Sequence, residues 1–304
     1  MMNQTIKVMQ LVSILLVMTF SYSCSSQART LSENDGAGDA TVITIRPSKT
    51  DIKIENANEP HFIKYKPSNT ENKLLLFLGD TDEIPEKGPM DFFDVAIDEG
   101  YKVVNLSYKT MESVTRVCRS IKLSDDSHCT EKLRTKRIYG TPTTNLIEDE
   151  PQDAIVNRLV KLLTYLNTND AAGNWGVYLS GDQPNWELIT LAGQSQGGGM
   201  AEFIAKTKKV NRIISFSGGT DYSKTGKIAQ WYYSSSKTPS SRWFGVYHAE
   251  EHKADVLASS FSVMEIPADH TFVLDLEVPK KKDPKFQGVR NTAYRETWKT
   301  LLKE

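Results

Sequence analysis

The chain has 304 residues, enough for one large domain or two small ones. Hydrophobic residues make up 39% and charged residues 25%, and the formal net charge is -1. That balance is globular, and the lack of a polybasic field argues against nucleic acid as a partner.

At the start, Lys7 precedes the apolar run "VMQLVSILLVMTF", and small residues follow in "SYSCSSQ". The run is too short for a membrane span, which needs about 20 apolar residues, and suits the core of a signal peptide over residues 1–23. Its end resembles the lipobox of bacterial lipoproteins, which implies acylation at Cys24 and membrane attachment in the cell envelope. Ser21 stands where that motif usually has leucine, so cleavage at an ordinary secretory site is the alternative. Residues 24–40, "CSSQARTLSENDGAGDA", are polar and aperiodic and read as a tether. Export leaves Cys118 and Cys129 as an even remainder, which favours one disulfide closing "CRSIKLSDDSHC". Two free thiols, or a metal site with His128, are the weaker alternative, since too few ligands stand nearby to close a coordination shell.

From Thr41 the pattern becomes short runs of β-branched residues, and "TVITIRP", "DIKIEN" and "HFIKYKP" predict a leading antiparallel meander. "KLLLFLGD" reads as a strand buried on both faces, "MDFFDVAIDEGY" as an amphipathic helix and "KVVNLSY" as a second buried strand. Residues 109–150 read as irregular. "PQDAIVNRLVKLLTYLN" predicts a helix opened by Pro151 that buries Ile155, Leu159, Leu162, Leu163 and Leu166. The alternation continues: "LITLAG" strand, "GGGMAEFIAKTKK" helix, "RIISFSGG" strand, "RWFGVYH" strand, "KADVLASSF" helix, "SVMEIP" strand, "YRETWKTLLKE" helix. Strands alternating with helices imply a mostly parallel sheet of about eight strands, covered on both faces, in one α/β domain over 41–304. "PKKKDPK" at 279–285 reads as a solvated loop, and 222–241 as a possible lid insertion.

One stretch carries chemistry. Gly193-Gln194-Ser195-Gln196-Gly197 fits G-x-S-x-G, with a strand before it and a helix after it. Glycines on both sides allow a sharp turn that exposes the serine, and the helix N-terminus places the N–H of Gln196 beside a developing oxyanion. In chains of this pattern an acid and then a histidine follow, on loops at the carboxyl ends of later strands. His270 in "SVMEIPADHTF" lies just beyond the expected last strand and is the candidate base. Glu251 is the candidate acid, with Glu250 and Asp221 as alternatives. Trp231, Tyr232 and Tyr233 either line a substrate pocket or pack the lid. No metal or organic cofactor is implied, and no protein partner.

These pieces resemble the α/β-hydrolase superfamily, and within it a branch whose elbow reads A-G-H-S-Q-G-G-G, here "AGQSQGGG". "LFLGDTDEIP", "VNRLVKLLTYL", "NWGVYLSGDQPNW", "WFGVYHAEE" and "DHTFVLDLEVP" follow that branch's other recurring segments in order, over most of residues 70 to 304. The resemblance implies an α/β-hydrolase fold and a triad of Ser195, His270 and Glu251, with the N–H groups of Thr81 and Gln196 as the oxyanion hole. It also implies a paired Cys118 and Cys129. Gln194 replaces the branch's histidine, Glu251 its usual aspartate, and Asp80, Asp82 and Glu83 crowd a loop where glycines are usual. The expected activity is hydrolysis of a carboxylic ester on a small molecule or an acylated polymer, through an acyl-enzyme. A binding protein that has lost turnover, or an acyltransferase, are the alternatives.

Overall fold

The computed structural model describes residues 30–32, 40–118, 126–223 and 227–303. The expected signal peptide, Cys24 and most of the tether lie outside them. Thr30–Ser32, inside the stretch read as tether, forms strand β1 and pairs antiparallel with β2, Thr41–Ile45.

The other strands of the main sheet are β3 His61–Tyr65, β4 Leu74–Leu78, β5 Lys102–Asn105, β8 Ile189–Gln194, β9 Arg212–Phe216, β10 Trp243–His248 and β11 Thr271–Leu274. A separate small hairpin pairs β6, Leu179–Ser180, with β7, Gln183–Pro184. Among the described residues the sheet order is β1-β2-β3-β5-β4-β8-β9-β10-β11. β3 runs antiparallel to both its neighbours, and β5, β4, β8, β9, β10 and β11 are mutually parallel. From β2 onward this is the strand order and polarity of the α/β-hydrolase fold.

Alternation along β4 shows why its run is wholly apolar. Leu75 and Phe77 enter one core layer, while Leu74, Leu76 and Leu78 enter the other. The first layer is completed by α2 (Met90–Asp98) and α9 (Arg295–Leu302), through Phe92, Phe93, Trp298 and Leu301. The second is completed by α4 (Cys129–Tyr139), α5 (Ile155–Asn169), α6 (Gln196–Thr207) and α7 (Ala254–Val263). Short helices α1 (Pro47–Thr50), α3 (Val114–Cys118) and α8 (Gln287–Arg290) fill connections. Among the described residues no helix is long and apolar enough to cross a membrane.

Three expectations fail, each for a local reason. "DIKIEN" is a turn, not a strand: Ile54 is buried, but Ile52 is 89% exposed, so the alternation has no second strand to face. The segment 109–150 holds α3 and α4, joined by the disulfide between Cys118 and Cys129. The period of α4 was hidden because its buried face includes Arg134 and Arg137 beside Leu133 and Ile138. Finally, "SVMEIP" is no strand. Ser262 and Val263 finish α7, Glu265 takes φ 63°, and the N–H of Ile266 returns to the carbonyl of Phe261. The last strand is "TFVL", immediately after His270.

Candidate active site

The elbow follows from close backbone approach. Ser195 sits between β8 and α6 at φ 51°, ψ -109°, a conformation costing a non-glycine residue about 1–3 kcal/mol. A side chain at Gly193 would strike the main chain of Gly197 and Gly198, and one at Gly197 would strike the carbonyls of Leu78 and Gly79. The turn is pinned by Ser195 N–H donating to the Phe216 carbonyl at 2.8 Å and Gly199 N–H donating to the Ser195 carbonyl at 3.0 Å. Gln196 fixes the next segment: its side chain accepts from Val114 N–H and donates to the Thr110 carbonyl.

Because the strands are parallel, the loops leaving β4, β8, β9, β10 and β11 all emerge at the same end of the sheet as Ser195. There Ser195 opens into a cleft of about 240 Å³ shared with Ser217, Glu251, His252, Asp283 and Lys285. Its lining mixes polar and charged side chains with the ring of Tyr222 and with Leu257, its one aliphatic side chain. Glu251 Oε1 accepts from the Ser217 hydroxyl at 2.8 Å and from His248 N–H at 2.8 Å. Burial pushes its carboxyl above the ordinary value, against those two hydrogen bonds, which favour the ionised form. Ser217 Oγ also lies 3.1 Å from the carbonyl of Lys285, which accepts from Gln194 Nε2 at 2.9 Å.

The two N–H groups expected as oxyanion donors face a carboxylate of the protein itself. Asp80 Oδ1 accepts from Thr81 N–H at 2.7 Å and lies 3.4 Å from the N–H of Gln196. Its other oxygen, Oδ2, accepts from Lys285 Nζ at 2.8 Å. Glu83, in the same loop, is held by Asp80 N–H and Arg290.

The expected base is elsewhere. His270 precedes β11, and its Nδ1 lies 3.0 Å from the carbonyl of Trp243, the first residue of β10. Its ring stacks on Phe244 with centroids 4.2 Å apart. In a parallel pair the strand starts lie away from the strand ends, so His270 stands at the opposite end of β10 and β11 from the cleft. Taking "SVMEIP" as the last strand produced that error, since it put His270 after a strand that it actually precedes.

The other expected residues divide similarly. Asp221 is buried in a bidentate pair with Arg134, at 2.6 and 2.7 Å, and also accepts from Trp231 Nε1, so it is not the acid of a triad. Glu250 is exposed, and its N–H donates to His248 Nδ1. Trp231 and Tyr232 are core residues packed edge to face, and Tyr233 is exposed; among the residues around the Ser195 cleft the aromatic one is Tyr222. Sequence reasoning passed over Lys285 in the loop read as solvated and His252 in the polar turn. Both become visible once "TFVL" is taken as the last strand, because that places the lysine-rich loop over Ser195.

No protein-family model matches the sequence, and no curated protein matches it significantly. Among solved structures the chain is similar to an S-formylglutathione hydrolase from Staphylococcus aureus, with 10% identity over 88% of this chain and 98% of that one, TM-score 0.46. It is similar to esterase 2 of Thermogutta terrifontis, with 11% identity over 90% and 91% of the two chains, TM-score 0.43. A dienelactone hydrolase from Anabaena variabilis shares 14% identity over 90% and 96%, TM-score 0.42. The strand order, not these distant likenesses, carries the fold assignment.

Proposed function

We propose that the protein is a serine hydrolase of small esters, with Ser195 as nucleophile and His252 as base. The observation that carries this reading is the strained elbow of Ser195 opening into a cleft that also holds His252 and Glu251. Strain of this kind persists only where the surroundings enforce it, and it clusters at reactive sites. In the reaction Ser195 Oγ attacks the ester carbonyl carbon while His252 takes its proton. The tetrahedral oxyanion is held by the N–H groups of Thr81 and Gln196 once Asp80 has left them. His252 then protonates the leaving alcohol, and a water activated by the same imidazole hydrolyses the acyl-enzyme. Glu251 supplies negative charge on the same loop. The cleft is small, at about 240 Å³, which favours short acyl groups over long chains.

The test is hydrolysis of p-nitrophenyl acetate and butyrate by residues 30 to 304, beside single variants. Ser195→Ala is expected to abolish turnover, and His252→Ala to reduce kcat by about 10²–10⁴-fold. His270→Ala is expected to leave it unchanged. Equal loss on His252→Ala and on a remote surface substitution would remove His252 from this role.

A second reading, ligand binding without turnover, is favoured by the carboxylate in the oxyanion position and by a loop after β11 that carries no histidine in 275–286. It expects no ester hydrolysis above the Ser195→Ala level in a folded protein.

We further propose that the domain is held at the cell envelope through a lipid on Cys24. The Cys118–Cys129 disulfide supports an oxidising compartment. Cys24→Ala is expected to move the protein from the membrane fraction to the soluble one; unchanged sedimentation with membranes overturns the anchor.

A further inference from the structure

We infer that the Asp80–Lys285 ion pair is a gate between the Ser195 cleft and a second cavity, and that this second cavity is the subsite for the acyl group. The inference rests on the hydrolase reading above. A cavity of about 360 Å³ is lined by Asp80 and Thr81 with Ile84, Phe286 and Arg290. Asp80 belongs to its wall, Lys285 belongs to the wall of the Ser195 cleft, and the two side chains meet at 2.8 Å. Their ion pair is therefore the partition. Thr81, whose N–H is one oxyanion donor, lines the second cavity; Ser195 lines the first. A carbonyl placed between nucleophile and donors must straddle the line that Asp80 occupies.

The occupant is suited to blocking. Asp80 Oδ1 rests on Thr81 N–H and near Gln196 N–H, where a tetrahedral oxyanion would sit, and like charges at one position exclude each other. The side chain of Asp80 is only 6% exposed, so water screens it little, whereas Lys285 is 35% exposed and reaches it from a surface loop. The clamp, not the carboxylate, is thus the accessible half of the gate. When Lys285 swings out, Asp80 loses its counter-ion and turns towards solvent, the donors are freed, and the two cavities join. Ile84 and Phe286 then add their apolar surface to that of the Ser195 cleft.

The experiment is the rate of Ser195 labelling by a fluorophosphonate, which needs the same oxyanion donors, together with kcat/KM for p-nitrophenyl acetate and butyrate. Asp80→Ala is expected to accelerate labelling at least ten-fold and to raise kcat/KM more for butyrate than for acetate. Lys285→Met, which keeps the carboxylate and removes its clamp, is expected to give a smaller acceleration in the same direction, and it covers the case in which the position 80 variant does not fold. If wild type labels at Ser195 as fast as both variants, the gate is overturned and the hydrolase reading stands. If Ser195 labels in none of the folded proteins, both fall. Acceleration without any change in the butyrate-to-acetate ratio overturns the acyl subsite.

Discussion

Ser195 holds its turn because glycines on either side leave no atom to collide, but a buried acid nearby sets a different condition on the protein. Glu202 of α6 is fully buried, accepts from the Ser215 hydroxyl at 2.6 Å and from Gly219 N–H at 3.1 Å, and is pushed by burial up to about 7. Its folded value is raised, so the native state keeps a proton that the unfolded chain has released. The resulting stability is complete below the ordinary value of 4.5 and is lost as pH rises through about 7, a change on the order of 3 kcal/mol. Glu202→Gln is expected to remove that component, measured as the difference in denaturation midpoint between variant and wild type from pH 4.5 to 8. An equal slope in the variant would assign the pH dependence to other groups. Burial also drives His61 the other way, down to about 3 with help from Arg158, so the fold keeps it neutral while the unfolded chain takes up a proton below about 6.5; its contribution falls as pH falls through that range and opposes that of Glu202.

At the level of elements, α4 is docked beneath the elbow by charge. Arg134 reaches from α4 to Asp221 on the loop after β9, with both side chains wholly buried. Removing one partner strands the other, so Asp221→Asn is expected to cost about 3–5 kcal/mol, read from denaturant unfolding. A cost under 1 kcal/mol would mean that the pair is relaxed by solvent. The same helix shows what the sequence conceals. Apolar periodicity found α5, with its five leucine and isoleucine positions, and the doubly buried β4. It missed α4, whose inner face carries two arginines, because no hydropathy pattern announces a charge that a distant aspartate will neutralise. Strand β11 was misplaced for a related reason. Both "SVMEIP" and "TFVL" carry β-branched and apolar residues, "TFVL" lies at the sheet edge with Val273 exposed, and only the fold shows which of them pairs with β10. The elbow was legible because its constraint is local: a few residues and their glycines. The identity of the base was not, since it depends on which side of one strand a histidine falls.

Across the whole molecule, the parallel sheet gathers at one end the residues 80, 195, 217, 251 and 285, which lie far apart in the chain. The serine's neighbourhood is thus assembled from five separate strand ends, tied to one another through Lys285, Asp80, Ser217 and Glu251. The closest of these junctions is the one at Gly197, where the start of α6 lies against the carbonyls of Leu78 and Gly79 with no side chain between. Backbone touching backbone is incompressible, so the spacing between the Thr81 and Gln196 amides is inherited from the sheet and is indifferent to what fills it. Frame and filling are then separable. A single codon at position 80 sets whether a carboxylate or an empty recess stands between those amides. On the hydrolase reading proposed above, a lineage built on this scaffold would cross between turnover and quiet retention of a ligand, in either direction, at that one position.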